Sequence, residues 1–307
     1  MTRPFRFGLL VESREQTRQG LLDLAHRAED EGYGILLGTD HLGRLASVPL
    51  VQTAAEHTRL RIGTLVLNND FRHPAVLAQE LAAIDVVSEG RLEIGLGAGW
   101  ARNEYDGAAV SFDRPGKRVA RLQAAVAMLK QSLSEGRIDR PGDDAYPPIR
   151  LDGMPRSVQR PHPPFLIGGG GPRVLRFAAR EAAIVALDPR ALPEGGHDMR
   201  DVTAALFDEK IGWIREAAAE RWSELEVNII IFGADPEHGR RSGRSPVLRH
   251  DITEEEMAES PHYLLGDTEA MVDQLVARRE RWGINYLAVR EADRDALAPV
   301  IGRLAGR

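Results

Sequence analysis

Apolar positions along the chain fall into short runs, separated by longer stretches in which they recur every three or four residues. Phe5 to Val11 is a run of strand length, and in Thr17 to Glu31 the residues Leu21, Leu22, Leu24, Ala25 and Ala28 form one apolar stripe. The pair predicts a strand followed by a helix. The pattern repeats with strands Gly34 to Thr39, Leu60 to Leu67 and Leu92 to Gly97, and with helices Val48 to His57, Pro74 to Val87 and Lys117 to Leu133. It resumes with strands Phe165 to Ile167, Ile184 to Leu187, Leu225 to Phe232 and Tyr286 to Val289. Helices Arg173 to Glu181, Ala204 to Arg221, Thr268 to Trp282 and Asp295 to Leu304 follow them in turn.

Strands that alternate with helices pair in parallel, since each parallel pair needs a crossover, and eight such units are the number at which the sheet closes on itself. The expected fold is therefore α/β, a single (β/α)8 barrel domain over residues 1–307. An open doubly wound sheet is the alternative, but no strand-order reversal can be located for it. Three connections are longer than barrel turns and predict insertions at about 135–164, 188–203 and 233–262. The first includes a small hairpin around Ile149 to Met154. The last carries HGRRSGRSP and the acidic run Glu254-Glu255-Glu256, read as solvated loop.

Composition narrows the chemistry. There are no cysteines, which removes disulfides, thiolate metal sites and a cysteine nucleophile. The net charge of −6 is spread along the chain and does not suit a nucleic-acid platform. No apolar run approaches the roughly 20 residues of a membrane helix, and the N-terminus lacks a signal-peptide pattern, so a cytoplasmic protein with a small-molecule substrate is expected.

In a barrel of this kind the reacting groups gather just after the strands. Strand ends here carry Glu12, Asp40-His41, Asn68-Asn69-Asp70, Gly97-Ala98-Gly99-Trp100 with Asn103 and Glu104, Gly168 to Gly171, and Arg290-Glu291. Four glycines before Pro172, at the start of a helix, present backbone N–H groups to an anion, although a flexible turn has the same composition. No Gly-Lys-Ser/Thr follows, so a nucleotide-triphosphate loop is disfavoured. A free imidazole titrates near neutrality, so a histidine such as His41 at a barrel mouth suits proton transfer; a plain ion pair with Asp40 is the alternative. The histidines show no metal-ligand spacing, no metal is expected, and no G-x-S-x-G elbow is present. The small residues of GRLEIGLGAGWARNEYD at 90–106 leave room for a flat ring, with Trp100 as a wall and Asn103 as a polar hook; a tight turn around a packed tryptophan fits equally.

The stretch IGTLVLNNDFRHPAVLAQELAAIDVVSEGRLEIGLGAGWARNEYD at 62–106, with GILLGTDHL at 34–42 and FLIGGGGPRVLRFAARE at 165–181, resembles the bacterial luciferase-like monooxygenase superfamily, in particular its coenzyme F420-dependent oxidoreductase branch. The resemblance implies a luciferase-like TIM barrel that binds a deazaflavin, or alternatively FMN, in its mouth. It implies a non-prolyl cis peptide between Leu65 and Val66 behind the central ring, beside Asn68. Asp40 and His41 match residues beside the ring, with His41 the proton-transfer group supported by Asp40. Ala98, Gly99 and Asn103 match contacts to the cofactor's linker, next to Trp100, and Gly169, Gly170, Gly171, Pro172 and Arg173 match the phosphate-binding turn. Arg72, His73, Arg102 and Arg114 are expected near the rim, facing an anionic tail. Trp100 stands where the sugar-phosphate dehydrogenases of this branch carry an acidic proton donor, and Leu45 about where they carry a tryptophan, so the substrate is left unidentified. The implied activity is F420-dependent hydride transfer. The alternatives are an FMN-dependent monooxygenase with a separate reductase and a non-catalytic flavin-binding relative. Pairing as a homodimer through the helices after strands 2 and 3 is also implied.

Overall fold

The computed structural model describes residues 3–11, 17–234 and 252–307. Eight parallel strand positions close into a barrel. β1 (Arg6–Val11) lies between β2 (Ile35–Gly38) and the last strand, and β3 (Arg61–Thr64) pairs with both β2 and β5 (Leu92–Gly97), which closes the ring. The short β4 (Leu67–Asn68) continues β3 along β5. From β5 the order runs through β8 (Phe165–Gly169), β9 (Ile184–Leu187), β10 (Glu226–Ile231) and β11 (Ile284–Arg290) back to β1. The antiparallel hairpin of β6 (Arg137–Arg140) and β7 (Ile149–Asp152) stands apart from the barrel, close to where the sequence places one.

Helices α1 (Arg18–Asp30), α2 (Ser47–Ala55), α3 (Pro74–Val87), α5 (Pro115–Glu135), α6 (Pro172–Glu181) and α7 (Ala204–Ala218) follow the strands, with α4 (Arg102–Gly107) as an unexpected short helix after β5. α3 has the bounds read from the sequence because its apolar stripe is uninterrupted: Leu77, Ala78, Leu81 and Ala82 are buried at helical spacing. The acidic run is a correction. Glu254–Glu259 forms a short helix, α8, since Thr253 accepts from the Glu256 N–H while Glu256 reaches back to the Thr253 N–H, and acidic side chains favour a first turn. Thr268–Trp282 (α9) and Arg294–Leu304 (α10) complete the chain. No helix among the described residues is long and apolar enough to cross a membrane. Glu12 and the HGRRSGRSP segment lie outside the described residues.

Two features set the barrel's ends apart. At the strand starts, Glu93, 2% exposed, accepts from Arg6 (2.9 Å) and Arg61 (2.7 Å), and the Arg6 guanidinium lies 4.3 Å over the Tyr286 ring. This charged plug seals that end. Above it Leu10, Ile35, Leu37, Leu65, Leu166 and Tyr286 fill the interior. At the other end the expected third strand is interrupted at the Leu65–Val66 peptide, which is cis. The interruption removes the ladder partner of Gly95, and the Thr64 hydroxyl replaces it by accepting from the Gly95 N–H (3.0 Å) and donating to the Gly95 carbonyl (2.8 Å).

Candidate active site

The strand ends surround a cavity of about 660 Å³. Its wall includes Asp40, His41, Leu65, Val66, Asn68, Ala98, Gly99, Trp100 and the turn Gly169 to Arg173, so these expected residues from distant parts of the chain share one pit. Asn103 does not line it. In α4 the inward positions are Ala101, Glu104 and Tyr105, three and four residues apart on one face, and Asn103 on the other side is exposed.

His41 has a different partner from the one expected. Its Nδ1 lies 2.7 Å from Glu104 Oε1, and Glu104 Oε2 accepts from the Leu42 N–H at 3.3 Å. Asp40 is engaged elsewhere. It takes a two-point grip from Arg72 (2.6 and 3.0 Å) and accepts from the Asn68 N–H at 2.9 Å, tying the end of β2 to β4. The hydrogen bond to Asp40 holds the Arg72 guanidinium above its ordinary value against the effect of burial, so Arg72 is a clamp rather than a rim cation. Asn68 is likewise occupied: its Oδ1 accepts from Asp70 N–H (3.1 Å) and from the Tyr105 hydroxyl (2.9 Å). Burial pushes that phenol up and keeps it a donor.

Gly99 serves this network. It has φ +78°, and a Cβ there would meet the Tyr105 hydroxyl at 1.9 Å, so glycine is required by packing behind the wall. Its carbonyl accepts from Arg118 Nη1 at 2.6 Å. Arg118 is buried and stacks 4.0 Å over Phe112, with no carboxylate within ion-pairing distance among the described residues; burial holds its guanidinium below the ordinary value. Arg173 donates to the Gly116 carbonyl (2.9 Å) and Gln123 (3.2 Å), fixing the first turn of α6 to α5. Gly171, the N-cap of α6, has no side-chain cap, and a Cβ there meets nothing within 4 Å. The first N–H groups of that helix therefore remain available to an anion.

Trp100 stands between two imidazoles, 5.7 Å from the His41 ring and edge-on to it, and 4.4 Å from the His197 ring. His197 comes from the 188–203 insertion, carries no motif, and was invisible in the sequence; so was Asp188, whose Oδ2 lies 3.3 Å from His197 Nε2. Burial raises the Asp188 carboxyl, but the facing His197 outweighs it and the group is held below the usual carboxylate range. Apolar groups, among them Leu10, Leu187, Met199, Ile230 and Phe232, make up much of the remaining wall. Arg102 and Arg114 are exposed and His73 caps α3; none of the three lines the cavity.

The closed parallel barrel thus joins, at one mouth, a largely apolar recess, the His41–Glu104 pair and the uncapped start of α6. The sequence model of the luciferase-like monooxygenase family matches residues 3–210, and the chain belongs to that family. It is 31% identical over 189 residues to an F420-dependent glucose-6-phosphate dehydrogenase of Kineococcus radiotolerans, covering 58% of this chain and 54% of that protein. It is 33% identical over 190 residues to the protein of the same name from Mycobacterium tuberculosis, covering 57% and 54%. The chain thus spans about half the length of the curated relatives it matches. Among solved structures, the F420-dependent tetrahydromethanopterin reductase of Methanopyrus kandleri superposes with a TM-score of 0.76 at 18% identity, covering 97% of both chains. An F420-dependent secondary alcohol dehydrogenase bound to an F420–acetone adduct gives 0.73 at 16% identity, covering 99% of both. These likenesses are of fold.

Proposed function

We propose that the chain is an oxidoreductase that holds coenzyme F420 in the barrel mouth and exchanges hydride with a small organic substrate. The supporting observation is the His41–Glu104 pair beside Trp100 in a cavity whose other wall is the uncapped start of α6. The residues present fit such a cofactor. Gly171 leaves backbone room for a phosphate, and the Leu65–Val66 segment with Ala98 offers an apolar backing to a flat ring. When bound, a deazaflavin supplies a two-electron hydride carrier with carbon in place of the flavin N5.

The chain's own residues position and move protons. Glu104 accepts the Nδ1–H of His41, which fixes the tautomer and leaves Nε2 as the base or, once protonated, the acid. Asp40, held by Arg72, sets the path of the backbone on which His41 stands. The apolar wall excludes water from the reacting atoms. The substrate stays unassigned at this level, and cytoplasmic location and pairing through α3, whose Val76, Val86 and Val87 are exposed, belong to the same reading.

The test is a fluorescence titration of the purified protein against F420 and FMN. Submicromolar F420 binding with weak FMN binding is expected; submicromolar FMN affinity with no response to F420 overturns the cofactor choice in favour of a flavin-dependent monooxygenase.

A further inference from the structure

Lys210 occupies a position that the apolar stripe of α7 would give to a hydrocarbon side chain. Its neighbours on that face are Phe207, Ile211 and Ile214, and Lys210 is buried with them. An ammonium placed there costs free energy unless each of its N–H groups meets an acceptor. Three acceptors converge on it: the Asp188 carbonyl at 3.0 Å, the Asp201 carbonyl at 3.1 Å and Asp201 Oδ2 at 2.7 Å. An ammonium has three donors, so the set is saturated, and a neutral amine would leave one acceptor unmet. Burial holds Lys210 below the ordinary lysine value, and Asp201, itself buried, limits the drop.

The acceptors come from the two ends of the 188–203 insertion. Asp201 Oδ2 also accepts from the Arg190 N–H at 2.6 Å, so one ammonium and one carboxylate gather residues 188, 190 and 201 at a single point. Between those ties the chain runs out over the mouth, where Arg190, His197 and Met199 line the pit. Asp198 N–H donates to the Arg190 carbonyl (2.8 Å), Gly196 N–H reaches the Trp100 carbonyl at 3.3 Å, and the His197 ring lies 4.4 Å from Trp100. The carbonyl held by Lys210 is also the atom nearest a Cβ built on Gly170, at 2.4 Å, so the same tie seats the insertion against the α6 turn. Asp188 N–H to the Gly169 carbonyl (3.2 Å) and Ser260 Oγ to the Val202 carbonyl (2.7 Å) keep the ends attached to the barrel without Lys210.

The geometry points to Lys210 as a positioning residue: its buried charge holds the 188–203 insertion against Trp100 and the α6 turn, and so sets how long an occupant stays in the pit. The inference rests on the functional reading above in taking F420 as that occupant. It adds that one wall of the site is controlled from a helix outside the barrel.

The chain has no cysteine, so Lys210→Cys introduces a single thiol. Alkylated in denaturant with bromoethylamine and refolded, the full chain regains an ammonium on a side chain of lysine's length; alkylated with propyl bromide, it has the same shape without the charge. Amide hydrogen exchange at Gly196 and Asp198 is expected to match the wild type in the aminoethyl protein and to be at least about tenfold faster in the propyl protein, with the barrel strands unchanged in both. The ring-current shift that Trp100 imposes on the His197 ring protons should divide the two proteins in the same way. F420 should leave the propyl protein at least about tenfold faster in stopped-flow displacement. A packing role alone gives both alkylated proteins the same values in these measurements, and that result overturns the proposal. If the propyl protein does not refold, Asp201→Asn, which loosens the same ties and leaves no buried carboxylate unpaired, takes its place, and wild-type exchange and ring shifts in that variant overturn the proposal. Failure of the wild type to bind F420 brings down the cofactor reading, while exchange and ring shifts still decide whether Lys210 positions the insertion.

Discussion

Glu104 and His41 stand 63 residues apart in sequence and 2.7 Å apart in space, and their contact couples the first turn of a short helix after β5 to the end of β2. Glu104→Gln keeps the shape and removes the charge that fixes the imidazole. Hydride exchange with F420 is expected to fall by about 10²-fold, and by about 10²- to 10⁴-fold in His41→Ala. F420 affinity should stay within about twofold in both. Steady-state kinetics on a substrate found by screening alcohols, enones and nitro compounds, with a parallel binding titration, separates the two effects.

Neighbouring glycines of the α6 turn should respond differently. A Cβ on Gly170 would meet the Asp188 carbonyl at 2.4 Å and the Arg190 N at 2.6 Å, both backbone, so Gly170→Ala forces the chain apart and lowers the melting temperature. Gly171→Ala meets nothing in the protein at φ −90°. It should melt like the wild type and lose F420 affinity at least about tenfold, because its methyl group enters the space assigned to the phosphate. Equal F420 affinity in Gly171→Ala would move the anion elsewhere.

Asp40 is a structural clamp in this arrangement. Asp40→Asn removes one partner of a pair in which the carboxylate is 9% and the guanidinium 27% exposed, and it weakens the acceptor of the Asn68 N–H. A loss of about 2 kcal/mol in chemical denaturation is expected, less than for a fully buried pair because Arg72 can reach water.

The plug at the opposite end should be costlier to break. Glu93→Ala leaves two arginines facing each other at the strand starts, and about 3 kcal/mol of stability should be lost with no change in F420 affinity.

His262 makes stability depend on pH. It is fully buried, stacked on Phe232 (4.6 Å), with Nδ1 donating to the Ile230 carbonyl, and burial lowers its pKa from 6.5 to about 4. The unfolded chain then binds the proton first as pH falls. Stability from this group is complete above about pH 6.5, declines below it, and levels off under about pH 4 after a loss of roughly 3 kcal/mol. His262→Gln should shrink the melting-temperature difference between pH 7 and pH 4.5 relative to the wild type; an unchanged difference would remove His262 from the acid limb.

The alternation of apolar runs and helical stripes determined the barrel, because a strand buried on both sides and a helix with one apolar face leave few other ways to cover each other. It also set several element bounds: Pro74–Val87 and Thr268–Trp282 begin and end where their stripes do. Residues attached directly to strand ends, such as His41, Gly99 and Gly171, were legible for the same reason: the fold sends every strand end to one mouth. Pairing between side chains was not legible. Adjacency suggested Asp40 for His41, but consecutive residues leaving a strand diverge, and helix phase delivered Glu104 instead while turning Asn103 outward. His197 reached Trp100 only because backbone bonds within a motif-free insertion fold it back over the mouth, a placement that depends on contacts between segments and has no local periodicity to announce it.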